Sequence, residues 1–272
     1  MTKRYHRSVS QMGGYTECSE RFRLTRMVKP RLVSRPASWF ASGHAQHEAI
    51  DVFEKSERRT DPVSDYYDLY DAEIEKLTAE QPNLDLWMKP PRSTTTADIS
   101  NRRKGGAKGI ENYLTYCEEP WEIWRFPDGT QALEVSYDIT LGDVPLKGAV
   151  DRLVWWPKDN RVVIEDLKGG NRVKKYFQLG DYALVMNLLH HDILPEPITF
   201  GRYFYLKDGG VSEWQNLSWR YNEAYRTEAY KKLDEGIQNS IFLPNPGDHC
   251  TLCPVSSWCR EMGTLKEHER LQ

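Results

Sequence analysis

Asp151, Asp166 and Lys168 are the residues whose types and spacing could do chemistry together. They lie on Gly148-Ala149-Val150-Asp151-Arg152 and on Val162-Val163-Ile164-Glu165-Asp166-Leu167-Lys168-Gly169-Gly170, joined through Pro157-Lys158-Asp159-Asn160. If both stretches are strands and the turn is centred on that tetrapeptide, Asp151 faces Asp166, with Cβ atoms ~5 Å apart. Lys168 then shares their side of the sheet, while Glu165 and Leu167 point away. Two carboxylates so placed repel unless something neutralises them. A hard divalent cation does so, and Mg²⁺ or Mn²⁺ suits a carboxylate pair completed by water and a phosphate. Such an ion acidifies its water and takes up charge building on the phosphate, with Lys168 orienting either one. The plain alternative is a surface hairpin with Asp151 paired to Arg152 or Lys168, since a one-residue slip would reverse the faces.

The following segment adds candidates. Gln178 and Tyr182 are four apart in an expected helix over 172–190, so they share a face; Arg172, Lys174 and Lys175 stand at its start. The pair could hold a substrate backbone or the end of the lysine, or be a surface residue and a core aromatic. His44 and His47 are three apart in an earlier helix, and one becomes a ligand only if that helix docks over the sheet. Glu134, on the strand before Asp151, is a lesser candidate for a second metal or water contact.

Cys250-x-x-Cys253-x₅-Cys259 places three of the five cysteines within ten residues, which is ligand spacing, and Cys18 is the other cysteine near a chain end. A disulfide framework is not expected in a chain of this size without a secretory leader. Three thiolates plus one make the Cys₄ set of an iron–sulfur cluster. Zinc, with Cys18 or His249 as fourth ligand, fits as well. Cys117 is left over as a small buried apolar residue.

The elements that must position these groups follow from period and punctuation. Helices are expected over 8–27, 37–58 and 61–79, then a mobile loop over 82–108 and a short helix over 109–117. Strands follow at 131–140, 146–156 and 161–167, then the helix over 172–190, a strand at 198–206 and a helix at 219–237. This is an α+β order, a mixed central sheet flanked by helices. One domain is expected, with a helical portion over 1–110, a core over 111–240 and a cysteine-bearing tail over 241–272. The thirty-two Trp, Tyr and Phe residues argue against disorder, and the absence of a long apolar run argues against a membrane protein. A reducing, cytoplasmic setting is the default. The net charge of −3 hides a basic residue 1–36 arm, locally +7, and an acidic 48–85 stretch, locally −8. The arm, with Tyr5, Tyr15 and Phe22 interleaved, could follow a phosphate backbone or be a solvated helix face.

Taken in order, His47-Glu48-Ala49-Ile50, Gly148-Ala149-Val150-Asp151-Arg152, Asp166-Leu167-Lys168 and Gln178-Leu179-Gly180-Asp181-Tyr182 resemble the RecB-type branch of the PD-(D/E)xK nucleases. With the cysteines and Ser8-Val9-Ser10-Gln11, the resemblance extends to the iron–sulfur exonucleases, including those of CRISPR adaptation. Leu167 and Gly169 depart mildly from the usual residues around the lysine. The resemblance implies His47, Asp151 and Asp166 as metal ligands, Lys168 as catalytic, Gln178 and Tyr182 in substrate handling, and a 4Fe-4S cluster on Cys18, Cys250, Cys253 and Cys259. It also implies a DNA exonuclease acting on single strands or ends with Mg²⁺ or Mn²⁺, in a bacterial, archaeal or phage-infected cell. A structure-specific endonuclease or a non-cutting DNA-end binder would be the alternatives. The chain has no G-x-x-x-x-G-K-[ST] loop, so a helicase, recombinase or CRISPR adaptation partner would be a separate protein.

Overall fold

The computed structural model describes residues 6–170, 172, 177–218 and 222–262. Lys174, Lys175, the arm residues before His6, and the expected helix start at Trp219 lie outside them. Helices α1 (Val9–Glu17), α2 (Ser19–Phe22), α3 (Ser38–Lys55), α4 (Pro62–Glu80) and α5 (Thr95–Tyr116) precede the sheet. Strands β1 (Glu122–Ile123), β2 (Leu133–Leu141), β3 (Val144–Trp156) and β4 (Arg161–Lys168) lead to α6 (Phe177–His190). Then come β5 (Phe200–Tyr205), β6 (Gly210–Val211), β7 (Gln215–Asn216) and α7 (Glu223–Gln238). The sheet is mixed: β2, β3 and β4 are antiparallel neighbours, and β5 joins β4 in parallel. The fold is α+β, with helices on both faces of the sheet.

One face packs Val150, Leu153, Ile164 and Tyr203 against Leu179, Ala183 and Met186 of α6 and against α1 and α7. The other packs Val154, Val163 and Leu167 beneath Ala45, Ala49 and Ile50 of α3 with Ile110 and Tyr113 of α5. Alternation along β4 therefore sends Asp166 to the α6 side and Glu165 to the α3 side. The first helix is not continuous to Met27. It breaks at Cys18, where the backbone is extended and the sulfur accepts the Arg21 N–H, and a π-helical turn follows at Arg23–Met27.

The expected mobile loop over 82–108 is overturned. Its second half begins the 22-residue helix α5, capped by Thr94, whose hydroxyl accepts the Ala97 N–H. The glycines that read as loop punctuation are packing contacts. Gln46 Nε2 donates to Gly106 O at 3.1 Å, and a methyl group on Gly106 would fall 1.9 Å from Tyr66 Oη. Part of the basic run there is also spent inside the fold, since Arg103 grips Asp71 of the acidic helix α4 through two 2.7 Å hydrogen bonds.

These neighbours make opposite predictions. Gly106→Ala should cost about 1–3 kcal/mol through overpacking. Gly105→Ala meets nothing within 4 Å and should stabilise by up to about 1 kcal/mol, because glycine is costly inside a helix. Urea denaturation of both variants checks the pair of signs.

Candidate active site

The β3–β4 register agrees with the turn-centred reading: Arg152 pairs with Glu165, and Trp156 with Arg161. The ladder ends one step short of Asp151. Instead, Asp151 Oδ2 accepts the Leu167 N–H at 3.1 Å. Alternation along β3 slips at the same place, because Val150 and Leu153 both enter the α6-side core although three residues apart. On the other flank, the β2–β3 pairing runs Val135–Val150 and Leu133–Arg152 and skips Glu134 opposite Asp151. Glu134 has a left-handed backbone, φ 47°. Both departures make a local bulge, the device by which a strand re-aims one side chain.

The bulge gathers three ligand-bearing groups. One ligand atom each from His47, Glu134 and Asp151 lies within 4.8 Å of the others, and His47 Nδ1 is 3.8 Å from Asp151 Oδ2. Burial lowers the His47 pKa against the pull of Asp151, favouring the neutral imidazole that a metal requires. Burial and repulsion from Asp151 and Asp51 push Glu134 up to about 7.

Asp166 is fully buried beside this trio, and burial followed by the Asp151 charge pushes it up to about 7. Lys168 Nζ sits 2.5 Å from Asp166 Oδ2, as an ion pair rather than an aligned hydrogen bond, and neither Asp166 oxygen has a hydrogen bond among the described residues. A buried carboxylate left in that condition, close enough to Asp151 to feel its charge, fits a hard divalent cation. Lys168 Nζ also donates to Gln178 Oε1 at 3.2 Å, and Gln178 Nε2 donates to Tyr182 Oη at 2.9 Å. Of the two sequence options for Gln178, the structure has it holding the lysine, with Tyr182 buried behind it.

The surface-hairpin alternative fails in its pairing. Arg152 turns to the opposite face and meets Glu165, which also receives Arg202 Nε at 2.9 Å and Tyr116 Oη at 2.5 Å. Those two arginines hold the Glu165 carboxyl below its ordinary pKa despite complete burial. His44 is exposed and 3.8 Å from Glu73, so it belongs to the α3–α4 contact. Glu134 was underweighted from sequence. The signal for it existed: the turn at Leu141-Gly142-Asp143, with Gly142 at φ 64°, pairs Leu141 with Val144 and by counting back sets Glu134 opposite Asp151.

Away from these residues, Cys18, Cys250, Cys253 and Cys259 line one hollow with Arg21, Leu24, His249 and Met262. All are free thiols, and two sulfurs accept backbone N–H groups, Cys18 from Arg21 and Cys250 from Gly247, each at 3.4 Å. Four cysteines converging in an apolar wall with N–H groups aimed at sulfur fit a Cys₄-bound group. Cys117 stands apart beside Glu54, and burial pushes its thiol up to about 12.

The sequence profile of the PD-(D/E)XK nuclease superfamily matches residues 6–260, and the chain belongs to that superfamily. It is 32% identical to the Gene 69 protein of Mycobacterium phage D29, over 93% of this chain and 96% of that one. It is 26% identical to the Gene 69 protein of Mycobacterium phage L5, over 93% and 95%. The crystal structure of SSO0001 aligns over 71% of this chain and 82% of its own at 11% identity, with a TM-score of 0.36.

A pH prediction follows from the crowded carboxylates. Asp166 and Glu134 keep their protons to about pH 7 in the folded chain but ionise near pH 4 when unfolded. Across that window the native state binds more protons, so stability falls as pH rises. In EDTA, the melting temperature should drop between pH 5 and 8, and Mg²⁺ at pH 8 should restore it. Asp166→Asn should melt higher than wild type at pH 8 in EDTA and respond less to Mg²⁺. Equal pH profiles for the two proteins would defeat the assignment.

Proposed function

We propose that this protein is a metal-dependent deoxyribonuclease, an exonuclease that hydrolyses phosphodiester bonds of single-stranded DNA or DNA ends. The observation that carries this reading is the placement of ligand atoms of His47, Glu134 and Asp151 within 4.8 Å of one another beside buried Asp166 and its half-buried partner Lys168. His47, Asp151 and Asp166, joined by Glu134, would hold Mg²⁺ or Mn²⁺. The ion would withdraw charge from the scissile phosphate and acidify a water. Lys168, clasped between Asp166 and Gln178, presents its ammonium to a phosphate oxygen. Gln178 fixes the lysine and is itself fixed by Tyr182, so the cation need not reorganise when charge develops.

The cysteine hollow would hold a 4Fe-4S cluster on Cys18, Cys250, Cys253 and Cys259, joining the chain ends around one nuclease domain. Hydrogen bonds from Tyr15 Oη to Ile241 O and from Trp258 Nε1 to Val33 O already bring those ends together. Cluster ligation would lock a contact that closes a loop of more than 200 residues. No helix among the described residues is long and apolar enough to cross a membrane. The phage relatives support an infected bacterial cytoplasm as the setting, and any unwinding or recombination activity would come from separate proteins.

Protein purified without air should degrade linear DNA only with Mg²⁺ or Mn²⁺, and Asp166→Ala and Lys168→Ala should each lose about 100-fold or more. Degradation that persists in both variants, or is absent from wild type, would refute the catalytic assignment. Cleavage of circular single-stranded DNA would replace the exonuclease by an endonuclease. For the cluster, brown colour and iron content should disappear together in Cys253→Ala and persist in Cys117→Ser; colourless, zinc-loaded protein would overturn it.

A further inference from the structure

On α3, Phe40, Gly43 and His47 follow each other at helical spacing and share one face. His47 belongs to the ligand-bearing trio. Phe40, two turns and about 10 Å along the axis from it, is 52% exposed, unusual for so large an aromatic. Gly43 keeps the intervening turn bare, and a methyl group there would meet nothing within 4 Å. Beside this stripe, between α3, α5 and the strand that ends in Lys168, opens a cavity of about 310 Å³. Its wall includes Gln46, Arg102, Gly105, Gly169 and Lys207. Gly169 directly follows Lys168, so the cavity adjoins the candidate site.

The wall carries two cations, Arg102 and Lys207, against one acid, Asp98, and so favours a polar, anionic guest. Gln46 is 3% exposed, and its Nε2 is spent on Gly106 O. Its Oε1 faces Gly169, where an added Cβ would fall 2.5 Å away, and has no donor among the described residues. That oxygen opens onto the cavity, where it can accept from a ligand N–H or a water. Arg102 bonds Asp98 through Nε alone, at 3.4 Å, and its terminal nitrogens have no hydrogen-bond partner among the described residues. A cation, an unsatisfied amide oxygen and exposed glycine backbone suit one nucleotide, its base edge on Gln46 and its phosphate on Arg102.

Building on the nuclease reading above, we propose that this cavity seats one nucleotide of a single-stranded DNA chain next to the scissile phosphate, and that Phe40 stacks a neighbouring base. A paired base could not enter a pocket one nucleotide wide. The site therefore selects single strands, or ends that fray to them, by the cost of unpairing.

The test is fluorescence anisotropy of a labelled single-stranded oligonucleotide in EDTA, where binding is read without cutting. Phe40→Ala should weaken binding about tenfold, through loss of base–aromatic stacking. Gly105→Phe fills the cavity from a position whose Cβ meets nothing, and should weaken binding about tenfold or more while melting no lower than wild type. Gln46→Leu should weaken it several-fold, and a competing blunt duplex should displace the oligonucleotide poorly from wild type. Unchanged affinity in Phe40→Ala and Gly105→Phe would overturn the proposal, as would equal weakening for duplex DNA. Because no hydrolysis is involved, a protein that bound in this way yet never cut would refute the nuclease reading and leave this one standing.

Discussion

Two carboxylates brought together on adjacent strands, one of them fully buried, set the terms for the rest of this molecule. Their repulsion is not relieved by the obvious partner: Arg152, next to Asp151, turns to the far side of the sheet. Lys168 offsets part of the charge on Asp166, and the remainder appears as carboxyls that hold protons to about pH 7. A fold that keeps such a group loses stability at neutral pH, and a divalent cation bound there would restore it. The bulge at Asp151 and the left-handed Glu134 are further local strain at the same spot.

The opposite face of the same strands is built the other way. Glu165 receives Arg152, Arg202 and Tyr116, and Tyr113 bridges Arg152 to Glu54 at 2.5 and 2.6 Å. One step of one residue, from Asp151 to Arg152 on β3 or from Asp166 to Glu165 on β4, exchanges a carboxylate short of partners for a member of this network. Removing one member of that network would leave others buried and unpaired, so it resists rearrangement. It holds β3, β4 and β5 in fixed register behind the crowded carboxylates.

Much of this was legible in residue order. The hairpin register follows from a turn centred on Pro157–Asn160, and it decides that Asp166 and Lys168 share a side while Glu165 does not. Gln178 and Tyr182 on one helix face needed only the 3.6-residue period. The stretch 95–108 misled, because Gly105, Gly106 and the charges around them resemble a loop when no neighbour is in view. Their helix is made by what packs on it: Tyr66 and Gln46 occupy the room that side chains would have taken. Glu134 is legible only by counting back from the Leu141–Val144 turn, since its left-handed backbone leaves no mark in composition.

By itself, then, the sequence determined the local quantities: element periods, the β3–β4 register, which residues of the hairpin share a face, and that three cysteines sit at ligand spacing. These depend on neighbours a few residues apart, or on a single turn, and short-range geometry settles them. Only the tertiary structure decided that α3 lays His47 against Asp151, that Glu134 completes the trio, that Cys18 meets a tail more than 200 residues away, and that α5 closes a cavity beside Lys168. Those contacts join distant parts of the chain, and the packing of whole helices against both sheet faces, rather than any local preference, brings them within reach.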